Sequence, residues 1–293
     1  MQGKVLRAQN SFFYVATREG LVEAKLRGRL KKERIAVVPG DDVELELTEG
    51  GAGVIERRCE RKNLLRRPLV ANIDQVVLVF AAREPDINPV LIDRFLVLAE
   101  WSKIERIILC INKMDLLEGD EAEIPALAAL YREIGYPVCL LSTVTGEGVA
   151  DMQSLVEGKT SVFAGSSGVG KSSLLNCLAP GIALSTGAVS EKIKRGRHTT
   201  RTAQLLPFAG GFLVDTPGFS ATELAEIEPC ALPGLFPEFR SFFGACRFQP
   251  CTHSHEPDCA VKEAVQAGRI EDSRYASYLE MLQQSVQRKK VYR

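Results

Sequence analysis

The sequence predicts an α/β protein in three parts: a small closed β-barrel, a mostly parallel sheet covered by helices, and a helical tail built around a Cys/His cluster. Three observations carry this expectation. Short β-rich stretches crowd residues 3–59, strands and helices alternate from residue 73, and three cysteines and two histidines fall within fourteen residues near the C-terminus. The expected boundaries are 1–68, 69–222 and 223–293.

Composition sets the class. With 45% hydrophobic and 25% charged residues the chain is ordinary globular protein. Its formal net charge is zero, yet residues 1–68 hold fifteen Lys/Arg against ten Asp/Glu, so the basic character is confined to the first part. The longest apolar run, 76–82, is far short of the roughly 18 residues of a membrane span, and Met1 to Lys4 do not lead into a signal-peptide core. A cytoplasmic protein without a membrane partner is expected. Cys59, Cys110, Cys139, Cys177 and Cys230 are scattered in apolar contexts, which argues against a disulfide framework.

In the first part, candidate strands at 4–8, 12–17, 21–26, 35–38, 43–47 and 53–55 are punctuated by Gly20, Pro39-Gly40 and Gly50-Gly51. Five or so strands in so short a span favour an OB-fold, with an SH3-type barrel as the alternative. The basic stretch 25–34 is expected in a loop, and 57–67, ending at Pro68, as a linker. The second part reads as strand 73–81, helix 89–101, strand 107–111, helix 120–134, strand 138–141, helix 149–156 and strand 161–164. Ligands of such sheets lie at the carboxyl ends of strands, where every motif described next falls.

Gly165-Ser166-Ser167-Gly168-Val169-Gly170-Lys171-Ser172 matches the phosphate-loop pattern and leads through Ser173 into a helical stretch. Backbone N–H groups freed by the glycines would wrap phosphates at a helix N-terminus, with Lys171 on the β- and γ-phosphates and Ser172 on Mg²⁺. Asn112-Lys113-Met114-Asp115 ends another strand. A carboxylate at Asp115 can accept from guanine N1–H and its exocyclic amine, a pairing adenine does not offer. Asn112 can bond the base or tie the phosphate loop in place, and the Lys113 stem can cover the base. Ser142-Thr143, before Val144-Thr145-Gly146, stands where a backbone N–H would meet the guanine oxygen.

Asp215-Thr216-Pro217-Gly218 follows an apolar strand and supplies a carboxylate for Mg²⁺ and a Gly218 amide for the γ-phosphate. The segment Gly196-Arg197-His198-Thr199-Thr200-Arg201 fits the first switch, with Thr200, or alternatively Thr199, completing the metal shell. Its cations, from Lys192 to Arg201, suit a solvated basic loop equally well. Phe219 stands where a water-orienting glutamine is expected, so hydrolysis should be slow unaided; His198 is a candidate to orient or deprotonate water. The base motif precedes the phosphate loop, the reverse of the familiar order. The chain therefore reads as a circularly permuted P-loop GTPase.

Cys246-x4-Cys251-x-His253-x5-Cys259 offers four soft ligands for one structural Zn²⁺, with His255 as the competing imidazole. Amphipathic helical patterns follow at 260–267 and 275–286.

Taken together, the barrel, the permuted motifs and the run from Cys246-Arg247-Phe248 through Cys251-Thr252-His253 to Cys259 resemble the RsgA (YjeQ/YloQ) family of ribosome small-subunit-dependent GTPases, over the whole chain. That resemblance implies a monomeric GTP hydrolase that binds the small ribosomal subunit and its rRNA late in maturation. GTP would favour the bound state, and the subunit would stimulate hydrolysis to GDP and release. A second reading is a nucleotide-gated RNA-binding module in which hydrolysis is incidental; a variant that binds GTP without hydrolysing it separates the two, since only the first predicts trapping on the subunit.

Overall fold

The structure, a computed structural model, describes residues 1–66, 69–117, 122–180, 203–215 and 227–291. The first-switch candidates Gly196 to Arg201, including His198, Thr199 and Thr200, lie outside these residues, as do Gly218 and Phe219.

The N-terminal strands β1 (Gln2–Gln9), β2 (Phe12–Thr17), β3 (Gly20–Leu26), β4 (Asp42–Leu47) and β5 (Gly53–Arg58) close into a barrel of order β1-β2-β3-β5-β4. Only β3 and β5 pair in parallel; the short helix α1 (Gly28–Lys32) connects β3 to β4. This is the OB arrangement. Val5, Phe13, Val15, Ala24, Val43, Leu45 and Ile55 alternate into its core.

Two expectations need correction here. Residues 35–38 form no strand, because their backbone groups are taken by side chains: Val38 N–H donates to Asp41 Oδ2 at 2.8 Å, and the Ala36 carbonyl accepts from Arg58 and Arg61. Nor is 57–67 a plain linker. Arg61 forks onto the fully buried Asp41 at 2.6 and 2.8 Å, and β6 (Leu64–Arg66) pairs with β7 (Leu69–Ala71) in a hairpin. The basic 25–34 loop also contains α1.

The second part is a six-stranded sheet of order β10 (Val138–Leu140), β9 (Arg106–Asn112), β8 (Gln75–Ala81), β11 (Thr160–Ala164), β13 (Gly211–Asp215) and β12 (Gln204–Phe208). All neighbours are parallel except β12 with β13. Every residue of β8 is buried, as a central strand covered on both faces requires. Val76, Leu78 and Phe80 face the core shared with α2 (Pro89–Trp101) and α3 (Glu123–Ile134). Val77, Val79 and Ala81 face the core under α4 (Val149–Val156) and α5 (Lys171–Leu178).

The first of these cores continues into the C-terminal part, where Phe236, Phe239 and Tyr278 join it. That part consists of 3₁₀ turns at Leu232–Leu235 and Pro237–Phe242, the Cys/His loop, α6 (Ala260–Gln266) and α7 (Asp272–Val291). Ser285 Oγ on α7 holds the Ile227 carbonyl at 2.8 Å, so the chain is pinned where it enters this module.

Candidate nucleotide and metal sites

The strand ends gather the nucleotide motifs along one edge of the sheet. Asn112 closes β9, the phosphate loop follows β11, Ser142 follows β10, and the backbone of Asp215 closes β13. Gly165 takes φ +151°, and a Cβ there would strike the Val79 carbonyl on the adjoining strand; only glycine lets the loop leave β11 this closely. The loop then passes Gly168, Val169 and Gly170 into α5. Lys171 Nζ donates to the carbonyls of Gly165 at 2.8 Å and Ser166 at 2.7 Å, which holds its charge inside the arc. Ser172 and Ser173 occupy the first turn of α5, whose N-terminal N–H groups and dipole favour an anion.

Asn112 is fully buried and ties two loops together. Its Nδ2 donates to the Val169 carbonyl at 3.0 Å, and its Oδ1 accepts from Thr143 N–H at 3.2 Å. Of the two roles open to this side chain, the structure displays the loop tie. Ser142 is also buried; it donates to Asp115 Oδ1 and accepts from the N–H groups of Val144 and Thr145, both at 3.1 Å. Its side chain thus orients the Asp115 carboxylate, a contact beyond the backbone one expected at this turn. Lys113 sits at φ 63° and its Nζ donates to the Glu84 carbonyl. The segment at Glu84 and Pro85 was missed by motif reading because its contribution is a backbone carbonyl. Met114 begins a 3₁₀ turn, and its N–H bonds the Leu141 carbonyl at 3.2 Å.

In the C-terminal module the ligand atoms of Cys246, Cys251, His253 and Cys259 lie within 4.8 Å of one another. Sulfur separations are 3.9 Å for Cys246 with Cys259 and 3.8 Å for Cys251 with Cys259; His253 Nδ1 lies 3.5 and 3.3 Å from Cys246 and Cys259. A tetrahedron with metal–sulfur bonds of about 2.3 Å has edges of about 3.8 Å, so the cluster fits a four-coordinate ion of zinc type. His255 is outside the cluster, its Nδ1 at 3.0 Å from Ser254 Oγ. Burial lowers the His253 pKa and pushes the Cys251 thiol up to about 12. Deprotonation on metal binding is the ordinary remedy for such a buried thiol cluster. The loop is scaffolded from α7, where Tyr275 Oη donates to the His253 carbonyl at 2.8 Å and Tyr278 Oη to that of Thr252. Burial opposes ionisation of Glu256, but donors from Thr252 and Ser254 overcome it and hold its carboxyl at about 2. Cys110 and Cys139 are core residues whose thiols burial raises, Cys139 to about 11.

Comparison with known proteins follows the same division. The RsgA GTPase family matches residues 58–225 and the RsgA N-terminal domain family residues 2–55. The chain is 46% identical over 291 residues to the small ribosomal subunit biogenesis GTPase RsgA of Caldanaerobacter subterraneus subsp. tengcongensis, covering 99% of this chain and 97% of the relative. It is 43% identical over 292 residues to the protein of that name in Bacillus anthracis, covering 99% of each. Among solved structures it is similar to YjeQ from Thermotoga maritima, with TM-score 0.86, 41% identity and coverage of 97% and 98% of the two chains. It is also similar to YloQ, a circularly permuted GTPase, with TM-score 0.84, 38% identity and coverage of 98% and 95%.

Proposed function

The chain belongs to the RsgA family of GTPases, and on that premise we propose that it hydrolyses GTP while bound to the small ribosomal subunit and assists the late maturation of that subunit in the cytoplasm. The observation that carries the nucleotide half is Asn112, which locks the phosphate loop to the base loop through Val169 and Thr143. Asp115 selects guanine, Lys113 covers the base, and the backbone of 165–170 with Lys171 neutralises the phosphates. Ser172, Asp215 and Thr200 are the residues that would hold Mg²⁺, which supplies charge stabilisation on the transferring phosphoryl group. Thr200 and His198 keep their sequence-based roles as metal ligand and water-orienting candidate. Zn²⁺ held by Cys246, Cys251, His253 and Cys259 is structural, since four protein ligands close its coordination shell.

The RNA-facing half rests on the barrel. Tyr14 and Phe12 project from the outer face of β2, with Arg7 stacked 3.9 Å over the first and Lys25 4.6 Å over the second. Following β3, α1 exposes Arg29, Lys31 and Lys32, with Arg29 3.6 Å from Glu33. Aromatic rings and cations on one barrel face suit nucleobase stacking and phosphate contact. Arg57, Arg61 and Lys62 are engaged with Glu44, Asp41 and Glu105, and of the three only Arg61 is largely covered. Steady-state GTP turnover with and without purified small subunits tests the reading. Stimulation is expected; an unchanged rate at low salt with intact zinc would overturn it.

A further inference from the structure

We propose that Arg274, a residue of the metal-binding module, is a positioning residue for the nucleotide site, acting through Asp93 and α2; the proposal rests on the guanine-nucleotide reading above. Arg274 and Asp93 are both almost fully buried and form an ion pair, while Arg274 also forks onto Glu238 at 2.7 and 3.2 Å. Tyr131 of α3 donates to the same Asp93 oxygen at 2.6 Å. Burial by itself lowers the Arg274 pKa, but the charges of Asp93 and Glu238 outweigh it and hold the guanidinium above its ordinary value. The guanidinium therefore stays charged.

On one side, this network reaches the metal cluster. Arg274 lies 4.8 Å over the Phe236 ring, Phe236 stacks on Phe239 at 5.1 Å, and Phe239 meets the ligand His253 edge-on at 6.4 Å. On the other side it reaches the nucleotide loops. Asp93 sits in the second turn of α2, whose N-terminus is fixed by Asn88 accepting from Leu91 N–H at 3.1 Å and by Pro89 in its first turn. Immediately before that cap, the Glu84 carbonyl holds Lys113, and Pro85 Cδ lies 3.9 Å from where a Gly168 side chain would begin. A shift of α2 thus moves the wall that both Lys113 and the phosphate loop lean on. Packed side chains and a rigid helix are a continuous carrier for such coupling, and variants must decide whether it is used.

The test measures fluorescent GDP affinity, bound zinc and thermal unfolding in full-length variants. Arg274→Lys keeps the charge but loses the planar fork between Asp93 and Glu238. The triple variant Asp93→Asn/Glu238→Gln/Arg274→Met removes all three charges while an amide at position 93 still accepts from Tyr131. Expected is a five- to tenfold loss of GDP affinity in both, with stoichiometric zinc, and with the triple variant close to wild type in unfolding temperature. Wild-type affinity in either variant, or affinity that merely follows unfolding temperature across the set, would overturn the proposal by making the pair structural. Failure of the unmutated protein to bind GDP would instead overturn the nucleotide reading, and this proposal with it.

Discussion

Asp115 is proposed to carry the base specificity: Ser142 fixes one of its oxygens while the β9 and β10 loops hold the backbone around it. Two charge-assisted hydrogen bonds to guanine contribute about 3 kcal/mol or more, so Asp115→Asn should weaken GTP binding at least a hundredfold. The amide should then accept xanthine nucleotides, since its N–H₂ can donate to the 2-oxo group. A competition titration of GTP, ATP and XTP checks this; equal binding of ATP and GTP by the unmutated protein would refute the assignment. A second residue-scale expectation concerns the two neighbouring imidazoles. Of the two, only His253 Nδ1 faces the thiol sulfurs, so metal analysis should find near-stoichiometric zinc in the unmutated protein and in His255→Ala but not in His253→Ala.

At the scale of elements, helices such as 89–101 and 149–156 were legible in the sequence because apolar periodicity, Pro89 at a first turn and flanking glycines all agree with the tertiary environment. The same holds for the phosphate loop and the Cys/His cluster, whose chemistry demands particular residue types at short spacing. Residues 35–38 were misread as a strand since Ile35, Val37 and Val38 carry β propensity, and the arginines that capture their backbone groups lie more than twenty residues onward. Long-range side-chain pairing leaves no local pattern. One trace was present in α2, where Asp93 interrupts an apolar face and finds its partner 181 residues away. The Asp41 and Arg61 pair makes the hairpin region testable by itself. Arg61→Ala strands a carboxylate with no exposed surface, and should destabilise the protein by about 3 kcal/mol, read as a lowered midpoint in denaturant unfolding. A midpoint within experimental scatter of the unmutated protein would show that water reaches Asp41.

Across the whole molecule, permutation has a mechanical consequence. The strand ending in Asp215 leads onward in sequence to the metal-binding module rather than back into the sheet, and the module is pinned at Ile227 by α7 and joined to α2 by a shared core. The opposite end of the chain presents the barrel, which carries the cation and ring pairs of Arg7 with Tyr14 and Lys25 with Phe12 and the basic helix α1. An RNA partner touching the module would thus bear on the nucleotide edge through α2, whereas the barrel side meets the sheet at the opposite strand ends, where Lys62 pairs with Asp74 and Glu105. With Phe219 in place of a water-orienting glutamine, the unassisted rate should be low, and stimulation by small subunits should require Lys171 for charge stabilisation on the phosphates. Lys171→Ala should therefore abolish stimulated turnover. Reversing the barrel charge with Arg29→Glu/Lys31→Glu/Lys32→Glu should act differently: it should leave the unassisted rate and GDP affinity unchanged while weakening association with subunits and flattening its salt dependence. Each phosphate contact removed lowers the slope of log affinity against log salt by somewhat less than one, so three lost contacts should reduce it by roughly two to three. Binding isotherms across a salt series measure that slope directly, and a triple variant with the slope of the unmutated protein would place the RNA contact away from α1.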